Sequence, residues 1–292
     1  MFAIKPTDSF LVYFIKSLIK RFDEHNVTQT AGQLAYFTLL SIFPFIIFVN
    51  SLIRKIDLSG ELVTGVLSEI LPKQLAEIIG GYIEYVNGLG SGLGVISVGV
   101  LIALFSASKS LRSLSIAINQ AYGITEKRYF IARLIMSVVL TFVLGVVILL
   151  CLLAVSIGKE WIYRIIILID MPISWLTKIS IGKWVIVISM LLVILTLIYY
   201  VIPLRRVKLR NVLPGAAVAV IGSFAATYGY SIYVAYFSNF SVLYGSMGVV
   251  LLLALWLYLI GIFIVMGAEI NSVFEEKKYF VALKANNKNE NK

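Results

Sequence analysis

Few side chains in this chain are equipped for chemistry, and most of them stand at the edges of apolar stretches. Ser108, Arg112, Ser115 and Asn119 recur at i, i+4, i+7 and i+11, with Lys109 beside them and Leu111, Leu114, Ile118 and Ala121 opposite. That spacing predicts one helix with a polar, basic face. Lys109 and Arg112 suit an anionic headgroup or a phosphate-bearing substrate. The competing account is that both snorkel at a membrane boundary. Glu269 closes the uncharged stretch 246–268. An ionisable group there is either a coupling site for a proton or substrate, or a carboxylate paired with an arginine of the 205–210 run. Tyr36, Tyr228 and Tyr244 combine an apolar body with a polar tip, which suits the lining of a path for an amphiphile.

Catalytic signatures are missing. The sequence has no Gly-rich phosphate loop, no nucleophile elbow and no paired carboxylates in an apolar setting. It holds one histidine, His25, and one cysteine, Cys151, so a multi-histidine metal site or an internal disulfide is out of reach. No catalytic residue, metal or cofactor is therefore expected, and the chain reads as a non-enzyme. Its basic runs lack the aromatic motifs of RNA binders, so lipids rather than nucleic acid are the expected partners.

The elements that must position these groups are set by hydropathy. Of 292 residues, 60% are hydrophobic and 14% charged, against about 45–50% and about 25% in soluble domains. The stretch 246–268, at ~1.5 Å per residue, outreaches a ~30 Å hydrocarbon layer and shows no polar face. Six such spans are expected, at about 32–53, 93–111, 134–157, 184–202, 214–237 and 246–268, forming one domain over 1–275. The predicted fold is an all-α polytopic membrane protein with amphipathic helices outside the bilayer. The segments 55–87 and 159–183 supply the outer ones, and 276–292 reads as a disordered tail.

Residues 10–22 repeat Phe10, Phe14, Leu18 and Phe22 at i+4, with Lys16, Lys20 and Arg21 off that stripe. Such a helix either lies on headgroups or packs on the bundle. Pro44 falls inside the first span, where a kink or break is expected. Pro214 is placed in the first turn of the fifth span, and Gly245 in the turn before the sixth. These three are the expected hinges. Gly215, Ala219, Ser223, Thr227, Ser231 and Ala235 form an unbroken i+4 ladder of small residues, which makes the fifth span the expected centre of packing.

Six spans place both termini on one side. That side then collects 18 of the 25 lysines and arginines, so the termini are expected in the cytoplasm. The first 31 residues show no cleavable leader pattern, and the first span is expected to act as its own insertion signal.

The blocks AGQLAYFTLLSIFPF (31–45), SKSLRSLSIAINQAYG (108–123), RNVLPGA (210–216), YGSMG (244–248) and GAEIN (267–271) resemble the YihY/BrkB family of bacterial inner-membrane proteins. The resemblance covers roughly residues 10–275. It implies a six-span protein of the bacterial plasma membrane with cytoplasmic termini. Members have carried the labels ribonuclease BN and serum-resistance factor, and the first does not fit a chain with one histidine. No family catalytic residue is carried over. The expected function is transport, or flipping, of an amphiphilic, anionic envelope substrate. Lys109, Arg112 and Asn119 would hold its headgroup, Tyr36, Tyr228 and Tyr244 would line its path, and Glu269 would couple or gate. A non-transporting envelope scaffold is the alternative, and a ribonuclease the least favoured.

Overall fold

The computed structural model of the chain describes residues 10–55, 93–124, 174–236 and 246–290, together with 77, 80–82, 84 and 135. Among these residues all regular structure is helical. The order is α1 (Phe10–Glu24), α2 (Val27–Lys55), α3 (Leu93–Ala121), α4 (Ser174–Val201), α5 (Leu209–Tyr236) and α6 (Ser246–Glu290). Leu209–Tyr236 and the Val250–Glu276 part of α6 are long and apolar enough to cross a membrane, and Val187–Val201 is a shorter apolar helix. The expected span at 134–157 lies outside the described residues except for residue 135.

The helix ends follow from local chemistry. Asn26 takes the left-handed conformation at φ 51°, which asparagine tolerates better than most residues. It ends α1, and its own carbonyl receives the Thr30 amide at 3.0 Å as α2 begins. Gly123, at φ 68°, ends α3. Its amide reaches the Gln120 carbonyl at 2.9 Å, and the Ile124 amide reaches the Asn119 carbonyl at 2.9 Å. This paired arrangement is the Schellman cap, which satisfies carbonyls left over at a helix end.

Helix α2 runs through Pro44 without a break, because packing along α3 and α6 holds it against the loss of one backbone hydrogen bond. Two expectations give way. Pro214 sits a full turn inside α5 rather than at its start. Proline lacks an N–H and crowds the carbonyl four residues back, and the next amide, that of Gly215, donates instead to the Asn271 side chain at 2.7 Å. Helix α6 continues to Glu290, where the sequence suggested a disordered tail from 276. Its Glu275, Glu276, Lys277, Lys278 and Leu283 are good helix formers. Gly245 lies outside the described residues.

Among the described residues the centre of packing is α6 rather than α5: α6 packs against α1, α2, α3 and α5, whereas α5 packs against α4 and α6. Small residues of α5 do serve the contact, but both helices contribute them. A Cβ on Gly215 would collide with the Gly267 carbonyl and the Asn271 side chain, and one on Gly222 with the Phe263 ring. Farther along, Trp256 donates its indole N–H to Thr227 Oγ1 at 3.1 Å. These partners fix an antiparallel pair whose backbones nearly touch at one end and part enough for a tryptophan at the other. Tyr199 of α4, fully buried, donates to the Ile264 carbonyl at 2.5 Å. The missing side chain of Gly267 makes room for its phenol. Helices α2 and α3 also run antiparallel, clasped by Thr38 and Ser110 at 2.9 Å and by Ser113 donating to Gln33 at 3.3 Å.

Gly215→Ala is expected to cost ~1–3 kcal/mol through overpacking, read as a lowered melting temperature of the detergent-purified protein. Gly229→Ala, on the same helix but with nothing within 4 Å of the new methyl group, should be neutral or stabilising, since alanine is the better helix former. Equal losses for both would contradict the close-contact account.

Candidate functional site

Helix α6 emerges from its uncharged stretch carrying Glu269, Ser272 and Glu276 at i, i+3 and i+7, a spacing that keeps all three on one face. Opposite stands Arg21, in the last turn of α1. Its Nη2 donates to both Glu276 oxygens, at 2.7 and 2.8 Å. Its Nη1 is directed at Ser272 Oγ at 2.9 Å, the Ala121 carbonyl at 3.1 Å and Glu269 Oε2 at 3.4 Å. Only a planar fork of donors can serve a bidentate carboxylate and a second cluster at once. Ala121 ends α3, so its carbonyl has no partner within the helix. Ser272 donates to it at 2.6 Å, and the arginine's positive charge suits the negative end of that helix.

Glu269 is 1% exposed. A carboxylate sealed in this way is tolerated only with charge and hydrogen bonds around it. Besides Arg21, His25 meets its Oε1 through Nδ1 at 2.6 Å. A carboxylate only accepts, so Nδ1 carries the proton. The turn at Asn26 directs His25 back along α1, which brings the chain's single histidine onto a residue 244 positions away.

The electrostatics follow from this packing. Burial disfavours the charged form of Arg21, but Glu276 and then Glu269 outweigh it and raise its pKa above the ordinary value. Tyr13 donates to Glu276 at 3.2 Å, and burial, reinforced by the Glu276 charge, raises its pKa as well. Next to this node, Glu275 pairs with Arg205 at 2.6 Å, and Arg205 lies over the Tyr122 ring at 5.5 Å. Burial, followed by the charge of Glu275, pushes the Tyr122 phenol up.

The candidate residues from the sequence fall into separate places. Glu269 belongs to the sealed node, with Arg21 and His25 as its partners rather than an arginine of the 205–210 run. Asn119 is 1% exposed, and both ends of its amide are engaged. Its Nδ2 donates to the Ser115 carbonyl at 2.8 Å, and its Oδ1 accepts from the Leu204 amide at 2.9 Å. It therefore staples the loop between α4 and α5 to the end of α3. Lys109 is exposed at the outer edge of α2 and α3. Its ammonium lies 5.0 Å from the Phe105 ring centroid and 5.7 Å from that of Phe37. Tyr36 meets the same Phe37 ring edge-on at 5.2 Å, so Lys109 and Tyr36 share one neighbourhood. Arg112 follows three residues on and is partly buried. Tyr228 stands exposed on α5, and Tyr244 lies outside the described residues. Two positions of the polar face of α3, Ser108 and Asn119, are buried, and Ser115 is partly so.

Arg21, His25, Ser272 and Glu276 are the members of the node that sequence reasoning passes over. Their signal is present but weak. Arg21 stands off the apolar stripe of α1, and Glu269, Ser272 and Glu276 reveal their common face only once α6 is taken to continue past Asn271.

Two helices long and apolar enough to cross a bilayer, with aliphatic side chains left on the outer faces, suit a membrane protein. Residues 18–292 match the family described as virulence factor BrkB, and the chain belongs to that family. A protein of Bacillus subtilis (strain 168) labelled ribonuclease-like protein YfkH is 32% identical over 265 residues, covering 91% of this chain and 96% of its own. UPF0761 membrane proteins of Aggregatibacter aphrophilus (strain NJ8700) and Vibrio parahaemolyticus (serotype O3:K6) are 27% and 26% identical. The first alignment covers 88% of this chain and 90% of the relative, and the second 92% and 84%. No solved structure matches the chain.

Arg21→Gln would leave the buried Glu269 with His25 as its remaining partner and would unpair Glu276, a loss expected to cost up to ~3–5 kcal/mol, the range for a buried pair that loses one member. Arg205→Gln breaks a pair between an arginine that is 44% exposed and Glu275, which is 19% exposed, and is expected to cost less than the loss of Arg21, since the arginine end is open to solvent. Thermal melts of the two variants in one detergent should separate clearly. Matching melting temperatures would mean that Glu269 is not held by Arg21.

Proposed function

We propose that the chain is a six-span protein of a bacterial plasma membrane, with both termini in the cytoplasm, that moves an amphiphile with an anionic headgroup between leaflets or across the bilayer. The observation that carries this reading is the outer edge of α3. Leu101, Phe105, Lys109, Arg112 and Ile116 follow one helical stripe, and all but Arg112 are exposed. A cation held over two aromatic rings within an aliphatic stripe offers one place for a negative headgroup and adjoining places for an acyl chain. Each such basic group contributes about 1 kcal/mol toward an anionic lipid near a membrane surface. The exposed Tyr36 and Tyr228 would line the path, and Glu269, with its partners Arg21 and His25, would couple or gate.

A scaffold that organises envelope lipids or proteins without moving them is the second reading. It is favoured by the commitment of Asn119 and Glu269 to internal partners. Catalysis is not part of the proposal. The ribonuclease-like label belongs to a relative, and the single histidine of this chain already has Glu269 as its partner.

In vesicles reconstituted with the purified protein, a fluorescent phosphatidylglycerol should change leaflet faster than in protein-free vesicles. Lys109→Ala should reduce the protein-dependent rate several-fold while leaving the melting temperature within a few degrees, and Arg112→Ala should reduce the rate as well. If the wild-type protein moves none of a broad panel of anionic lipids yet retains them through purification, the scaffold reading replaces transport.

A further inference from the structure

Helix α1 is assembled inside out. Tyr13, Ser17 and Arg21, at i, i+4 and i+8, face the protein. Ser17 is buried, Tyr13 and Arg21 bind Glu276, and Phe14 packs edge-on against Phe274 at 5.4 Å. Leu11, Ile15 and Ile19, also at i, i+4 and i+8, point the other way and are 67%, 49% and 52% exposed, with Val12 beside them. A helix meant for water would bury those aliphatic residues and expose its arginine. This one spends its polar residues on α6 and leaves a continuous aliphatic stripe for something else to cover.

The surrounding charge indicates what covers it. Lys20, next to Ile19, is exposed and pairs with the exposed Glu24 one turn on at 3.6 Å. The loop before α5 presents Arg205, Arg206, Lys208 and the first-turn Arg210, all exposed. That loop is tied to the same end of the molecule, because Glu275 holds Arg205 while its neighbour Glu276 holds Arg21. A branched aliphatic stripe among exposed cations matches an anionic bilayer surface, with acyl chains beneath and phosphates beside. Only the turn at His25 and Asn26 separates α1 from α2.

We infer that α1 is an in-plane anchor. Its Leu11, Ile15 and Ile19 stripe lies at the acyl-chain boundary of an anionic leaflet, and its opposite face is locked onto α6 through Arg21. The partner is the bilayer itself, not a second copy of the chain. The inference stands whether or not the protein transports anything. Its consequence is that the state of one leaflet bears directly on the partners of Glu269.

The test uses full-length protein in which Cys151→Ser removes the native thiol. Single cysteines are placed at Leu11, Ile15 and Ile19, and at the exposed Lys20 and Glu24 as controls, and labelled with bimane. All five positions are exposed in the free surface, so folding should survive each change. In phosphatidylglycerol-rich vesicles, lipids brominated along the acyl chain should quench the labels at 11, 15 and 19 several-fold more than those at 20 and 24. Aqueous iodide should give the reverse order. Iodide quenching of equal strength at all five positions overturns the anchor. Ready disulfide formation between two Ile15→Cys chains, with protection from both quenchers, assigns the stripe to a second copy and overturns it as well. Replacing phosphatidylglycerol with phosphatidylcholine should weaken bromine quenching at 15, and unchanged quenching there removes the anionic part of the claim.

Discussion

A carboxylate withdrawn from water has to be met by charge, and in this chain that requirement is imposed by Glu269. With 1% of its surface exposed, it is tolerable only because Arg21 and His25 converge on it. Both come from a segment that precedes the first long helix, more than 240 residues earlier in the chain. Satisfying one side chain therefore fixes the place of α1 and the turn at Asn26. It also fixes the end of α3, whose free carbonyl is received by the same arginine and by Ser272. A lysine could not take over, since a single ammonium cannot offer a bidentate fork to Glu276 while serving Ser272 and Ala121.

The node can form only if α6 stands where it does, and that depends on backbone proximity rather than on hydrophobicity. Among lipid tails, apolar side chains gain little by meeting one another, so contact geometry and hydrogen bonds decide the packing. The Gly215 and Gly267 contact brings α5 and α6 together, and Asn271 takes the Gly215 amide just beyond it. Tyr199 ties α4 to α6 through the Ile264 carbonyl, and Trp256 binds Thr227 near the other end. Each clasp is a polar group with one specific partner. Together they set the register of a bundle whose aliphatic surface would accept several.

How much of this was legible in the sequence depends on how local the cause is. The stretches that became α5 and the apolar part of α6 are readable because their hydropathy is continuous, whereas α4 begins at Ser174, inside the segment expected outside the bilayer, and is continuously apolar only over Val187–Val201. The ladder of small residues on α5 was also legible, although its meaning was not. Gly267, on a different helix, completes the contact and moves the centre of packing to α6. Pro214 misled because proline favours a helix start, while here the helix begins a turn earlier and Asn271 uses the amide that follows. The node was the least legible part. Nothing near Glu269 in sequence announces Arg21 or His25, and the basic run at 205–210 offered nearer arginines that bind elsewhere. Lys109 and Glu269 both stand at the edges of apolar stretches, yet the fold leaves one exposed and buries the other.

That separation constrains any mechanism in which both take part. Lys109 and Ala121 belong to the same helix, 12 residues apart, or ~18 Å at 1.5 Å per residue. Lys109 marks where α3 meets the outer edge, and the Ala121 carbonyl marks where it meets Arg21 and Ser272. Between them, Asn119 holds the loop that leads to α5. On the transport reading, a headgroup arriving at Lys109 binds at the far end of this stretch of α3 from the carbonyl that meets Arg21. One way for its influence to reach Glu269 is a shift of α3 along its axis or about it. Such a shift would disturb the Ala121 carbonyl and the Leu204 amide together, because both hydrogen bonds lie within the last turn of the same helix and its cap. On that reading, α3 is the member that joins the exposed edge at Lys109 to the end held by Arg21 and Ser272.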